Sequence, residues 1–213
     1  MIIYVQQTKS NFDMQWCATD KNGLSVADIA APFVVGKFEA TVSLNTGESA
    51  HLYYNPYDKS WGERLQDRLS FKVLATNGKL GHILGKTRKT GFLKGYAYYE
   101  IVFGDEIYEG YEVGFGHKGL YLCVYKNDRL IAIIDKKLVT INFKDAYTVY
   151  MEDATCTLPI LAFLTYYDVT VYGDLMDVAV LSAKERIVVT PQKELIAKYD
   201  PTFIPRIKAM EGI

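Results

Sequence analysis

Through most of the first 150 residues apolar and polar positions alternate with a period of two. That is the spacing at which a strand turns one side chain to a core and the next to water. Ala40, Val42 and Leu44 alternate with Thr41 and Ser43, and Tyr99, Ile101 and Phe103 with Glu100 and Val102. The same holds for Tyr111, Val113 and Phe115 around Glu112 and Gly114, and for Val139, Ile141 and Phe143 around Thr140 and Asn142. Between such runs stand Asn22-Gly23, Asn45-Thr46-Gly47, Asn77-Gly78 and Asn127-Asp128, residues suited to the positive φ angles of tight hairpins. The pattern predicts an antiparallel hairpin meander rather than alternating βα units.

An internal repeat supports this. Shifted by 50 residues, Phe71 to Lys86 lies over Tyr121 to Lys136: a strand, an Asn-led turn, a basic residue followed by Leu, and a second strand ending in lysine. A looser copy runs from Trp16 through Asn22-Gly23-Leu24 to Ile29. Repeated hairpins predict a pseudo-symmetric sheet or barrel.

Two helices stand out from this background. Lys59 to Leu69 places Trp61, Leu65 and Leu69 on one face at i, i+4, i+8 spacing, which predicts a short helix capping the sheet. From Leu158 to Tyr172 the chain is apolar on nearly every side, with Thr155 or Thr157 to cap it and Pro159 in its first turn. A helix without a polar face belongs inside something. Asp168, Asp174 and Asp177 interrupt the longer apolar stretch Leu158–Leu181, so it reads as a buried helix, not a membrane span. Beyond Gly173 the pattern predicts a helix from Asp174 to about Arg186, a strand at Ile187-Val188-Val189, and a helix from Thr190-Pro191 toward Lys198, with Pro201 and Pro205 dividing the rest. The expected organisation is therefore a body over residues 1–173 and an appendage over 174–213 packed on the same domain.

Composition narrows the function classes. With 24 basic and 25 acidic residues the net charge is −1, so no global field draws the chain onto nucleic acid, which is not expected as a partner. Cys17, Cys123 and Cys156 are odd in number and far apart, which argues for a reducing, cytoplasmic location and against a disulfide framework. The start Met1–Gln7 lacks a basic leader and a long apolar core, so no signal peptide is expected. The 17 tyrosines suit half-buried strands, one face packed and the hydroxyl wet.

Candidate chemistry is sparse. Gly114-Phe115-Gly116-His117-Lys118-Gly119 spells G-x-G-x-x-G, but a strand pattern, not a helix, follows it, so a hairpin turn is the better reading than a nucleotide loop. His51, His82 and His117 lie on different hairpins without metal-ligand spacing, and neither metal nor cofactor is expected. Asp105, Glu106, Glu109 and Glu112 form an acidic group read as solvated. Asp168 is the carboxylate of interest, because on an apolar helix it must find a donor or take a shifted pKa. No G-x-S-x-G elbow is present, so no catalytic residue is assigned. One local cluster, Lys79, Lys86, Arg88, Lys89 and Lys94, is punctuated by glycines and flanked by Phe92 and Tyr96. Such a hairpin can hold a phosphate through lysine and arginine donors and free backbone N–H groups, or simply protect a sheet edge from aggregation.

The stretches Ala75-Thr76-Asn77-Gly78-Lys79-Leu80 and Val124 to Lys137, then Asp145 to Asp153 leading into the apolar helix, resemble the tubby C-terminal-like superfamily, its LURP-one-related and phospholipid scramblase groups above all. The resemblance covers roughly residues 1 to 173. It implies a closed, mostly antiparallel barrel threaded by the helix at Leu158–Tyr172, and a non-catalytic module associated with anionic phospholipid. The expectation is thus a mainly β protein that binds lipid headgroups through Lys86, Arg88, Lys89 and Lys94. The alternatives are a barrel that holds a hydrophobic small molecule and an enzyme without linear motifs.

Overall fold

A computed structural model describes residues 1–10, 13–34, 37–54, 70–91, 94–141, 144–172, 183–185 and 187–213. Twelve strands close into one antiparallel barrel. Ten of them follow in sequence: β2 (Asp13–Thr19), β3 (Ser25–Val34), β4 (Lys37–Leu44), β5 (Ser49–Tyr54), β6 (Phe71–Ala75), β7 (Leu80–Gly91), β8 (Lys94–Phe103), β9 (Glu106–Gly114), β10 (Leu120–Lys126) and β11 (Arg129–Lys136). The ring is completed by β13 (Ala146–Met151), which pairs with β11, and β1 (Ile2–Lys9), which pairs with β13 and β2. Around the barrel, closure covers the two end strands that an open meander would expose. The strand predicted over Val139–Phe143 exists as β12 (Val139–Ile141), but it leaves the barrel and pairs with β14 (Ala183–Glu185).

The repeat corresponds to real hairpins. β6–β7 and β10–β11 are the two clear copies and β2–β3 the third. In the β10–β11 turn both Asn127 and Asp128 have positive φ, the conformation a two-residue hairpin connection demands.

Inside the barrel runs α1 (Thr157–Tyr167), continued by a π-helical turn, Asp168–Tyr172. Asp153 starts this segment by accepting a hydrogen bond from the Thr155 amide at 2.9 Å. All eleven residues of α1 are buried, because every direction around its axis meets an inward-facing strand residue. Alanines 27, 31, 40 and 50 and Gly110 line much of this wall, and small side chains let the helix axis come close. A Cβ at Gly110 would stand only 2.5 Å from the Phe163 ring. The segment Ala154–Val171 is long and apolar enough to cross a membrane, and here strands take the place of lipid.

The C-terminal part packs outside. α2 (Lys193–Ile196) and α3 (Phe203–Met210) put Leu195, Phe203 and Ile207 onto the outer faces of β1, β9, β10, β11 and β13. That is why β9 and β10 are buried on both faces and lose the strict alternation. Three details differ from the sequence reading. Ala183–Glu185, expected at the end of a helix, is strand; Val189 makes only a single bridge to Phe115; and Pro205 lies within the first turn of α3, where no helical N–H is needed. The expected helices at Lys59–Leu69 and from Asp174 lie outside the described residues.

Candidate functional site

The basic hairpin is an arm. Cross-strand partners join β7 to β6 only as far as Ile83 and β8 to β9 only from Tyr99 onward, so Leu84–Gly91 and Lys94–Tyr98 pair only with each other among the described residues. Strand alternation then divides the cations. Lys86 and Arg88 point outward on the same side as His82, while Lys89 belongs to the opposite face with Gly85 and Thr87. Lys86 Nζ donates to Glu100 at 2.7 Å, and Glu100 also meets His82 Nε2 at 3.1 Å. These two partners hold the Glu100 carboxyl below its ordinary range against the opposing effect of burial. Arg88 donates to Glu109 at 2.5 Å and to the Tyr111 hydroxyl at 3.1 Å, and its guanidinium lies 4.8 Å from the centre of the Tyr98 ring. Lys86 and Arg88 thus already have carboxylate partners, although their side chains remain 40% and 39% exposed. Lys89 is exposed, and the Lys94 side chain lies outside the described residues.

In the acidic group at Asp105–Glu112, Asp105 is exposed as expected, whereas the three glutamates are paired. Glu106 takes Lys126 at 2.6 Å and the Tyr108 hydroxyl; Glu109 takes Arg88 and the Tyr111 hydroxyl; Glu112 accepts from Tyr167 of α1 at 2.6 Å. Each of these three glutamates serves a different cation or tyrosine, and none shares a partner with another.

Asp168 is where the sequence pointed to trouble, and the structure surrounds it with a network. Tyr147 on β13 donates its hydroxyl to Asp168. Its cross-strand neighbour is Lys136 on β11, whose ammonium lies over the Tyr147 ring at 4.6 Å, reaches the Tyr147 oxygen at 3.3 Å and donates to Asp145. Asp145 is anchored in turn by Gln7 of β1, which accepts from the Asp145 amide and donates its own amide to the Asp145 carbonyl, both at 2.9 Å. Lys136, Asp145, Tyr147 and Asp168 are all buried. Burial above all, then the Asp145 charge, pushes the Asp168 carboxyl up to about 7, although Tyr147, Lys136 and the Trp16 indole pull the other way. The Trp16 N–H is buried and stands close enough to Asp168 to favour its carboxylate, without reaching full hydrogen-bonding geometry.

Other candidates resolve into structure. Gly114 and Gly116 of the G-x-G-x-x-G run let the chain at Val188–Thr190 lie directly on them: the Gly114 amide donates to Thr190 Oγ1 at 2.9 Å and the Gly116 amide to the Val188 carbonyl at 2.8 Å. A Cβ at Gly114 would stand 2.3 Å from that carbonyl, so the glycines serve close backbone approach and not a phosphate. Burial pushes the Cys123 thiol up to about 12, which removes it as a nucleophile at neutral pH. Among the described residues no three His, Cys, Asp or Glu side chains are placed to hold a metal. The central helix fills the space that a small-molecule cavity would need.

Outside the barrel, Lys198 sits in a corner made by Tyr111 and Tyr125, which meet edge-on at 5.6 Å, with its ammonium 4.5 and 4.6 Å from the two ring centres. The Tyr125 hydroxyl donates to the Lys198 carbonyl at 2.9 Å, so side chain and backbone both tie the C-terminal part to β9 and β10. Replacing the half-buried Lys198 by alanine is expected to cost about 1 kcal/mol, between an exposed and a desolvated cation–π contact, read as a lower urea midpoint. No family model, no curated protein and no solved structure matches this chain.

Proposed function

We propose that the chain is a non-catalytic binding module of tubby-like type that docks on anionic phospholipid headgroups through the arm formed by β7 and β8. The observation that supports this reading is the arm itself, whose strands run on past the pairing of their neighbours in the barrel and bring Lys86, Arg88, Lys89 and Lys94 onto one two-stranded hairpin. With the interior taken by α1, a ligand is left with the outer surface. Binding there exchanges the carboxylate partners of Lys86 and Arg88 for phosphate, so the expected affinity is modest and falls with salt.

Co-sedimentation with phosphatidylcholine vesicles, with and without phosphatidylinositol phosphates, tests the proposal. Binding is expected only with the anionic lipid, and Lys86→Glu/Lys89→Glu is expected to weaken it by roughly tenfold or more, at about 1 kcal/mol for each cation lost. Arg88 is left in place because it packs on Tyr98. Absence of binding, or binding unchanged by the double substitution, removes the arm as a lipid site.

A further inference from the structure

We propose that Lys136, Asp145, Tyr147 and Asp168 form a proton-operated latch on the end of the central helix, closed while Asp168 carries a proton and loosened when it ionises. The inference rests on charge count and position, independently of the lipid reading. The groups acting on Asp168 come from several strands: Trp16 of β2, Lys136 of β11, Tyr147 of β13, and Asp145, which Gln7 of β1 anchors; the neighbouring Tyr167 is turned to Glu112 of β9. Within the network one ammonium faces two carboxylates, and its contact is with Asp145. Ionising Asp168 as well leaves a negative charge that Lys136 does not neutralise, in a place with little water to solvate it. Burial therefore favours the protonated acid at Asp168 and a neutral network overall.

Position turns this proton into a device. Asp168 is the residue at which the α-helical hydrogen bonding of α1 gives way to the π-helical turn, and beyond it Val169, Thr170 and Val171 are only half-buried. A π turn is an uncommon geometry that survives where surrounding contacts hold it. Here the contacts include the Tyr147 hydroxyl on Asp168, the Thr170 hydroxyl, which donates to the Tyr166 carbonyl at 2.8 Å, and the packing of Val169 and Val171 on the core. When Asp168 ionises, hydration of the new carboxylate competes with the packing around it, so the turn opens locally while the twelve-stranded wall stays closed.

Trp16 provides the readout, since its indole lies against Asp168 and the only other tryptophan is Trp61. In a Trp61→Phe background, the expected result is a one-proton change in Trp16 emission centred near pH 7, the value that burial gives Asp168. Exchange of the amides at Asp168–Tyr172, corrected for intrinsic rates, is expected to quicken at least tenfold between about pH 5.5 and about pH 8.5, while β-strand amides do not change. Asp168→Asn holds the neutral state and is expected to abolish both effects. Asp135, whose carboxyl burial pushes up to about 6 on the outer face, is the control: Asp135→Asn leaves both intact. A flat emission profile, a transition that survives Asp168→Asn, or exchange in the turn that ignores pH overturns the proposal. Should Asp168→Asn not fold, the carboxyl carbon shift of Asp168 followed in the otherwise native chain decides the matter: a midpoint in the ordinary carboxylate range refutes the latch, and one near neutrality supports it.

Discussion

Phe163→Ala is expected to lower the unfolding free energy by about 3–5 kcal/mol, among the largest effects a single truncation has. The ring stands inside the barrel with its centre 5.3 Å from that of Tyr99 and 6.4 Å from that of Tyr167, and it presses on the backbone of β9 at Gly110. The walls are β-strands bonded to neighbours on both sides, so they cannot collapse into the space, and the cavity term adds in full to the lost transfer energy. Gly110→Ala supplies an independent check. In the native background its methyl collides with the ring and is expected to cost about 1–3 kcal/mol as an overpacked site. In the Phe163→Ala background the same methyl enters the vacated space and costs little or nothing. The two substitutions are then strongly coupled in a double-mutant cycle read from urea midpoints. Additive costs, or a Phe163→Ala penalty below about 1 kcal/mol, are incompatible with a helix enclosed by the barrel.

That helix was legible because its pattern has one physical solution. A segment apolar around its whole circumference must be surrounded, and the alternating strands before it are what surround it. The hairpins were legible for a similar reason: asparagine and glycine at fixed places mark positive φ before any tertiary contact exists. The destination of Val139–Ile141 was not legible, since the alternation that marks a strand says nothing about which strand it pairs with, and its partner Ala183–Glu185 lies over forty residues away. The C-terminal pieces were blurred because helices of four and eight residues carry too few turns to fix a period.

The same distinction explains what could be said about sites. Sequence proximity gathered Lys86, Arg88, Lys89 and Lys94, but their carboxylate partners Glu100 and Glu109 arrive through the registers of β8 and β9. That Lys89 faces away from Lys86 and Arg88 follows from alternation along β7 once its strand is known. Asp168 was visible as a charge on an apolar helix, whereas its partners were not picked out. A signal for one of them existed: Lys136 follows Ala132 and Ile134 at two-residue steps, and both are buried against the helix. Counting parity along β11 places a lysine inside the barrel, where it needs a carboxylate. Nothing local identifies Asp145 as that carboxylate, because it precedes β13 and the contact forms only when β11 and β13 pair.

Lys136→Met is accordingly expected to destabilise the chain by about 3–5 kcal/mol, the cost of breaking a buried ion pair from one side. Methionine fills nearly the same volume along the lysine stem, so packing changes little and the loss is electrostatic. It removes the only described ammonium in contact with Asp145 and leaves two carboxyl groups facing each other across the Tyr147 hydroxyl. Lys136→Met/Asp145→Asn removes the unpaired charge as well and is expected to recover much of the loss, since an amide still accepts from its surroundings. The penalty of the single substitution also has a direction in pH. Asp168 holds its proton up to about 7 in the folded chain but gives it up in the ordinary carboxylate range when unfolded. Its contribution is therefore full in acid and is lost as pH rises toward 7. Without Lys136 nothing favours ionisation from the amine side, so the Lys136→Met chain is expected to be closest to native stability in mild acid and furthest from it in mild base. Urea midpoints measured across that interval check this, and a penalty that grows toward acid instead would show that Lys136 does not act as the counter-charge of these carboxylates.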